Sequence, residues 1–176
     1  MLEIFIPDQY VGAVEDIDLD ALAAAGIKGL LIDRDKTLTD WRSRDISEAK
    51  HAWIRAAKKR FEVCIVSNTI FGKGVRSVST DLQIPYVARW GWGRKPFPGA
   101  IRAALEKIRC EAAETAMIGD QLFTDVWGGN AQGLRTILVE PAPGPEFIGT
   151  MIVRFFERIV IRLLKLSPDN SVEGDD

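Results

Sequence analysis

The chain has 176 residues, 47% hydrophobic and 27% charged, the size and balance of one ordinary soluble globular domain, which excludes a fibrous or wholly disordered polymer. Its 23 Lys and Arg against 25 Asp and Glu leave a formal net charge of -2, so no global positive field draws in nucleic acid, and no nucleic-acid partner is expected. Two cysteines, Cys64 and Cys110, and one histidine, His51, exclude a disulfide framework, a thiolate cage and any site that needs several imidazoles.

The opening MLEIFIPDQY lacks the basic segment and longer apolar core of a secretory signal, and no stretch approaches the roughly 18 uninterrupted apolar residues of a membrane span. A cytoplasmic location is the expectation. Further along, five apolar runs bounded by turn residues read as short buried strands: GIKGLLIDRD, RFEVCIVSN, IPYVAR, AETAMIGD and LRTILVEP. Helical patterns lie between them over residues 47–60, 72–82, 98–109 and 122–132. Ser47 is placed to cap the first and Pro98 to open the third. Cys64 reads as strand packing, His51 as a helix-face residue, and Trp53 and Trp127 as core. Strands alternating with helices predict an α/β fold with a mostly parallel sheet covered on both faces, because parallel strands need crossover connections. Residues 1–166 are expected to form that single domain, and the acidic tail 167–176 to be disordered.

Ligands in such sheets sit at the carboxyl ends of the strands, so the run ends draw attention. The first run leaves the sheet as Asp33-Arg34-Asp35-Lys36-Thr37-Leu38-Thr39, with two carboxylates two residues apart. Three further features follow in order: Ser67-Asn68, Lys95 ahead of a helix, and Gly119-Asp120 with Thr124-Asp125. Together they supply the parts of phosphoryl transfer. A carboxylate can attack phosphorus, a hydroxyl and a lysine can hold phosphoryl oxygens, and further carboxylates can bind magnesium. Mg2+ is the expected cofactor, because an anionic nucleophile approaching a phosphate is otherwise repelled.

In this ordered set, DRDKTLT, SN, the lysine of RKP and GDQLFTD, the chain resembles the haloacid dehalogenase-like (HAD) phosphohydrolases over residues 28–140. The resemblance implies a three-layer Rossmannoid sandwich in which Asp33 is the nucleophile and Asp35 the general acid and base. The Asp at that second position is what phosphatases carry, where transport ATPases have Thr. Ser67 would donate to the transferring phosphoryl group and Lys95 would neutralise it, with Lys36 placed at the substrate and Asn68 orienting the nucleophile or the substrate. Magnesium would be held by the Asp33 carboxylate, the Asp35 carbonyl and the Asp120 carboxylate. Asp125 is either a ligand through water or a partner of the ligands. Lys36 departs from the pattern, standing where Gly or Asn is usual; it either strains a left-handed turn or adds a cation near the site.

Only 34 positions separate Asp33 from Ser67, so no large cap domain fits between them, and an open site suits a bulky or surface-held substrate. FIPDQYV, IDLDALAAAGIKGLLID and GDQLFTDVWGGNAQGLRTILVEP resemble the bacterial YqeG-like branch of subfamily IIIA, over residues 3–166. That branch is similar to the mitochondrial-type phosphatidylglycerophosphate phosphatases, which implies a phospholipid headgroup as the phosphorylated partner. In residues 151–166, Arg154, Glu157, Arg158, Arg162 and Lys165 fall within roughly 140° of a helix at about 100° per residue, beside a wide apolar face. Such a helix either covers the sheet or lies on anionic lipid as a peripheral contact; exposed Phe155 and Phe156 would favour lipid. Trp41 could edge the site, while Trp90 and Trp92 read as loop packing or an interface. Gly128 and Gly129 read as close helix packing. A soluble phosphomonoester, an inactive scaffold and a phospho-accepting receiver are the competing readings, the last disfavoured because receivers have no acidic loop after the lysine.

Overall fold

The computed structural model describes residues 2–39, 45–69, 72–142 and 148–168. Trp41 and the tail from residue 169 onward therefore lie outside the described residues. The elements run β1 (Gln9–Val11), α1 (Leu19–Ala24), β2 (Gly29–Ile32), α2 (Glu48–Ala57), β3 (Glu62–Asn68), α3 (Lys73–Leu82), β4 (Tyr86–Arg89), α4 (Pro98–Ile108), β5 (Thr115–Gly119), α5 (Trp127–Asn130), β6 (Arg135–Val139) and α6 (Ile148–Leu163). The α/β expectation holds, with six strands in one sheet, ordered β1-β6-β5-β2-β3-β4 and parallel throughout.

Every residue of β2 and β5 is buried, as expected of central parallel strands covered on both faces. One face carries Leu30, Ile32, Val63, Ile65 and Ile118 against Leu22 of α1, Trp53 and Ile54 of α2, and Val75 and Val78 of α3. The other face carries Leu31, Cys64, Val66 and Met117 against Ala100, Ile101 and Ala104 of α4. Continuing that second face across β6 and β1, Leu138 and Tyr10 meet Val160 and Ile161 of α6. The three layers follow from the strand period: alternate residues face opposite helices.

Ser47 caps α2, its hydroxyl accepting from Lys50 N at 3.3 Å, and Pro98 opens α4. Two short elements carry too little periodicity to be read in advance. β1 has three residues and is held by pairing with β6. The six-residue α1 is held by Asp18, whose carboxylate accepts from Asp20 N at 2.7 Å and Ala21 N at 3.1 Å. The pattern over 122–132 is not one uniform helix but a π-helical turn at Leu122–Val126 leading into α5. Such turns insert a residue and re-aim side chains, commonly at functional sites. Trp127 is a correction: it is 38% exposed rather than core, packing edge-on to Phe5 on the surface.

Between Asp33 and Ser67 the described residues form a tight turn, α2 and β3, with no cap domain. The chain leaves β2 for β3 and β4 on one side and returns to β5 and β6 on the other. The switch point thus falls between β2 and β5, where ligands bind in open α/β sheets.

Gly128 and Gly129 seat α5 on this framework. A Cβ at Gly129 would lie 2.5 Å from Thr136 Cγ2 and 3.1 Å from Met117 Cβ, and one at Gly128 would lie 3.2 Å from Pro96 Cα. Gly129→Val is expected to destabilise the fold by roughly 1–3 kcal/mol through overpacking, read as a lowered urea midpoint.

Candidate active site

Asp33 leaves the sheet at the switch point, its N–H donating to the Ile118 carbonyl at 2.8 Å. Register sets Ile32 beside Ile65 and Ile118, so the residues after β2, β3 and β5 emerge together. The turn after Asp33 closes on itself: Lys36 N donates to Thr39 O at 2.6 Å and Leu38 N to Arg34 O at 3.0 Å. Lys36 takes φ 66°, the left-handed angle that the usual Gly or Asn accommodates and that costs a Lys about 1 kcal/mol. Two contacts offset this. Lys36 Nζ donates to the Ala142 carbonyl at 2.9 Å, and Ala142 N donates to Lys36 O at 3.0 Å. The buried Lys36 side chain therefore ties the turn to the segment after β6.

Lys95 is the hub. Only 1% exposed, its ammonium donates to Asp33 Oδ1 at 2.6 Å and to the Val66 carbonyl at 2.8 Å, and lies 2.6 Å from Asp125 Oδ1. Burial alone would depress its pKa, but Asp125 and Asp33 outweigh burial and hold it above the usual lysine value. Asn68, expected to orient the nucleophile or the substrate, directs its whole amide to the Lys95 backbone. Its Oδ1 accepts from Lys95 N at 2.8 Å and its Nδ2 donates to Lys95 O at 2.9 Å, clamping the peptide that carries the ammonium.

From β5 come Asp120 and, through the π-helical turn, Asp125, both buried. A Cβ at Gly119 would collide with the Asp125 carboxylate, so glycine lets that carboxylate fold back over the strand end, where its Oδ2 accepts from Gln121 N at 3.1 Å. One carboxylate oxygen from each of Asp33, Asp120 and Asp125 lies within 4.8 Å of the other two. Burial, with the neighbouring carboxylates, raises the pKa of Asp120 against the pull of Arg154, and burial likewise raises Asp125 against the pull of Lys95. Buried carboxylates crowded this way call for cations.

The residues present fit Mg2+. The trio is all oxygen, as a hard divalent ion prefers. Asp120 Oδ1 and the hydroxyls of Ser67, Thr37 and Thr39 are buried without a hydrogen-bond partner among the described residues. Unsatisfied buried polar atoms are costly and rare, and these lie in the turn after β2, in β3 and just after β5, at the same end of the sheet as Asp33. Asp35 adds no carboxylate to the trio. Its side chain is gripped by Arg34, whose Nη2 lies 2.5 Å and 2.7 Å from the two oxygens. Burial first, and then Asp33, raise the Asp35 pKa against that arginine, the direction that favours a proton donor.

The C-terminal helix corrects the arc of charge read from the sequence. Arg154 and Glu157 are 6% and 3% exposed and face the site: Arg154 pairs with Asp120, and Glu157 accepts from Phe123 N at 3.0 Å. Arg158, Arg162 and Lys165 remain exposed, next to Phe155, Phe156, Ile159 and Leu163, which are also solvent-facing. A cavity of about 280 Å³ opens between α6 and the ends of β1 and β6, bounded by Tyr10, Asp120, Leu138, Arg154, Arg158 and Ile161. Sequence reasoning missed Arg154 and Glu157 as parts of the site; a buried carboxylate at the end of β5 with no cation nearby in sequence was the available signal. On the other side of the site, Trp90 and Trp92 are 55% and 86% exposed.

Removing the hub leaves Asp33 and Asp125 buried and repelling. Lys95→Met is expected to destabilise the metal-free protein by about 3–5 kcal/mol, measured by urea unfolding in the presence of a chelator.

Comparison with known proteins agrees with this geometry. A family model described as HAD-hydrolase-like matches residues 92–141. The chain is 32% identical over 164 residues to the probable phosphatase YqeG of Bacillus subtilis (strain 168), covering 93% of each chain. It is 30% identical to phosphatidylglycerophosphate phosphatase 1, chloroplastic/mitochondrial, of Arabidopsis thaliana, over 93% of this chain but only 48% of that one. Among solved structures, an uncharacterized protein from Listeria monocytogenes serotype 4b aligns with TM-score 0.54 at 16% identity, covering 80% of this chain and 100% of the other. One described as a HAD-like phosphatase from Mesorhizobium loti aligns with TM-score 0.53 at 16% identity, covering 82% and 89%; at these identities both speak to fold alone. The extent of the match to YqeG places the chain in that phosphatase lineage: it belongs to the HAD-like hydrolases and is a phosphatase of that family.

Proposed function

We propose that the protein removes the terminal phosphate of phosphatidylglycerophosphate, in a Mg2+-dependent reaction that passes through an aspartyl-phosphate on Asp33. The observation that carries the chemistry is the convergence of Asp33, Lys95 and the buried carboxylates on one point at the switch of the sheet. For the substrate, the support is the likeness to plant and algal proteins named phosphatidylglycerophosphate phosphatase, of which this chain spans about half the length.

Lys95 holds Asp33 Oδ1 and fixes the carboxylate for attack. An Asp33 oxygen forms a bond to phosphorus as the bond to the lipid oxygen breaks, and Asp35 delivers its proton to that leaving oxygen. Asp35, now a carboxylate, takes a proton from water, whose oxygen attacks phosphorus and releases inorganic phosphate from Asp33. The Ser67 hydroxyl, buried and without a hydrogen-bond partner among the described residues, donates to a phosphoryl oxygen. Lys36 lends positive charge at the edge of the turn. The carboxylates of Asp33 and Asp120 and the carbonyl of Asp35, with Asp125 alongside, would hold Mg2+, which would supply positive charge to offset the repulsion between nucleophile and phosphate.

The lipid part of the reading is supported by α6. Its exposed arc runs from Arg158 and Arg162 through Phe155 and Ile159 to Leu163 and Phe156, a basic edge beside an apolar one. This is the arrangement of a helix lying on an anionic bilayer surface. Among the described residues no helix is long and apolar enough to cross a membrane, so contact would be peripheral. Among the described residues no cap closes over the site, which leaves room for a substrate held in that surface.

Phosphate release should be measured from phosphatidylglycerophosphate in mixed micelles beside a soluble aryl phosphate and sugar phosphates. Lipid preference is expected, with activity abolished in Asp33→Asn and reduced roughly 10²–10⁴-fold in Asp35→Asn. Equal or faster turnover of the soluble esters would remove the lipid substrate and leave the chemistry standing. In vesicle sedimentation, the double substitution Phe155→Ser and Phe156→Ser is expected to lower partitioning about tenfold or more, since burying one Phe is worth about 1.5–3 kcal/mol.

A further inference from the structure

Arg154 reaches the end of β5 from a helix more than thirty positions later in the chain, and it makes two different contacts with one residue. Its Nη1 donates to the Asp120 carbonyl at 3.0 Å, and its Nη2 pairs with Asp120 Oδ2. The planar guanidinium fork holds both donors in fixed relation, so backbone and side chain of Asp120 are fixed together. The other oxygen, Oδ1, is buried with no hydrogen-bond partner among the described residues. One turn further along α6, the Glu157 carboxylate lies 3.8 Å from Arg154 Nη1 and accepts from Phe123 N at 3.0 Å. The helix thus grips the chain at Asp120 and again at Phe123, on the approach to the turn that carries Asp125.

We propose that Arg154 is a positioning residue for Asp120: by engaging Oδ2 it leaves Oδ1 as the single oxygen presented to a divalent cation, which makes α6 a structural part of the metal site. The inference rests on the Mg2+ reading above and goes beyond it, because it adds a residue outside the four motifs. Carboxylate ligands are generally oriented by a hydrogen bond to their second oxygen, and loss of that partner typically weakens metal affinity by roughly 10–100-fold. A residue that merely packed α6 against the sheet would change stability and leave metal affinity alone. One that competed with the cation for Asp120 would weaken metal binding when present and strengthen it when removed.

These alternatives separate by calorimetric titration of Mg2+ into the full chain without substrate, for wild type, Arg154→Met, Arg154→Lys and the remote control Arg55→Met, whose arginine makes an exposed pair with Glu48. The expected result is affinity at least about tenfold weaker in Arg154→Met, an intermediate value in Arg154→Lys and no change in the control. The Mg2+ concentration for half-maximal phosphatase activity should rise in parallel, with kcat recovering at saturating metal. If Arg154→Met does not fold, the lysine variant carries the test alone, with severalfold weaker binding expected. Unchanged or tighter Mg2+ binding in the folded Arg154 variants overturns the proposal by itself. A wild type that binds no Mg2+ overturns the metal reading and this inference with it.

Discussion

The charge balance around Lys95 is the constraint on which the rest depends. Three buried carboxylates are brought within a few ångströms of one another, which is tenable only if cations stand among them. Lys95 supplies one from β4's side of the sheet, touching Asp33, Asp125 and the Val66 carbonyl at once. Arg154 supplies another from α6, on Asp120. Three negative charges against two positive ones leave a deficit that a hard divalent ion is suited to fill, and Asp120 Oδ1 has no hydrogen-bond partner among the described residues. Removing either cation leaves the carboxylates it pairs with buried and uncompensated, so site and fold share their stability.

Topology explains why these groups meet. A parallel sheet sends every strand's carboxyl end to the same edge, and the return of the chain from β4 to β5 places the ends of β2 and β5 side by side. Small local features then aim the side chains. The left-handed angle at Lys36 folds the turn after Asp33, Gly119 admits the Asp125 carboxylate over the strand end, and the π-helical turn swings Asp125 toward Lys95. Asn68 fixes the peptide of Lys95 through both ends of its amide. Each of these devices fixes the position of a group in the cluster.

Much of this was legible in the sequence because its signals are local. Five strands announced themselves as apolar runs bounded by turn residues, and the Asp33, Ser67 and Asp120 side chains sit at the ends of three of them. The features that escaped depend on distant partners. The three residues of β1 have no pattern of their own and exist by pairing with β6. Trp127 looked like core by composition, yet it begins a four-residue helix whose buried side is supplied by two glycines, which turns the indole outward onto Phe5. For Asn68, residue type alone does not distinguish a ligand to substrate from a clamp on a neighbouring peptide.

The charged arc of α6 is the most instructive of these differences. Helical spacing correctly gathers Arg154, Glu157, Arg158 and Arg162 on adjoining positions, but periodicity carries no information about which edge of an arc faces inward. The buried Asp120 decides it: an uncompensated carboxylate at the end of β5 draws Arg154 in, and Glu157 follows onto Phe123. Turning that edge inward necessarily turns Phe155, Phe156, Ile159 and Leu163 outward, because they lie on the far side of the same helix. The inward and outward faces of α6 therefore have a common origin. The ion pair that completes the carboxylate cluster also sets which apolar residues the helix presents at the surface.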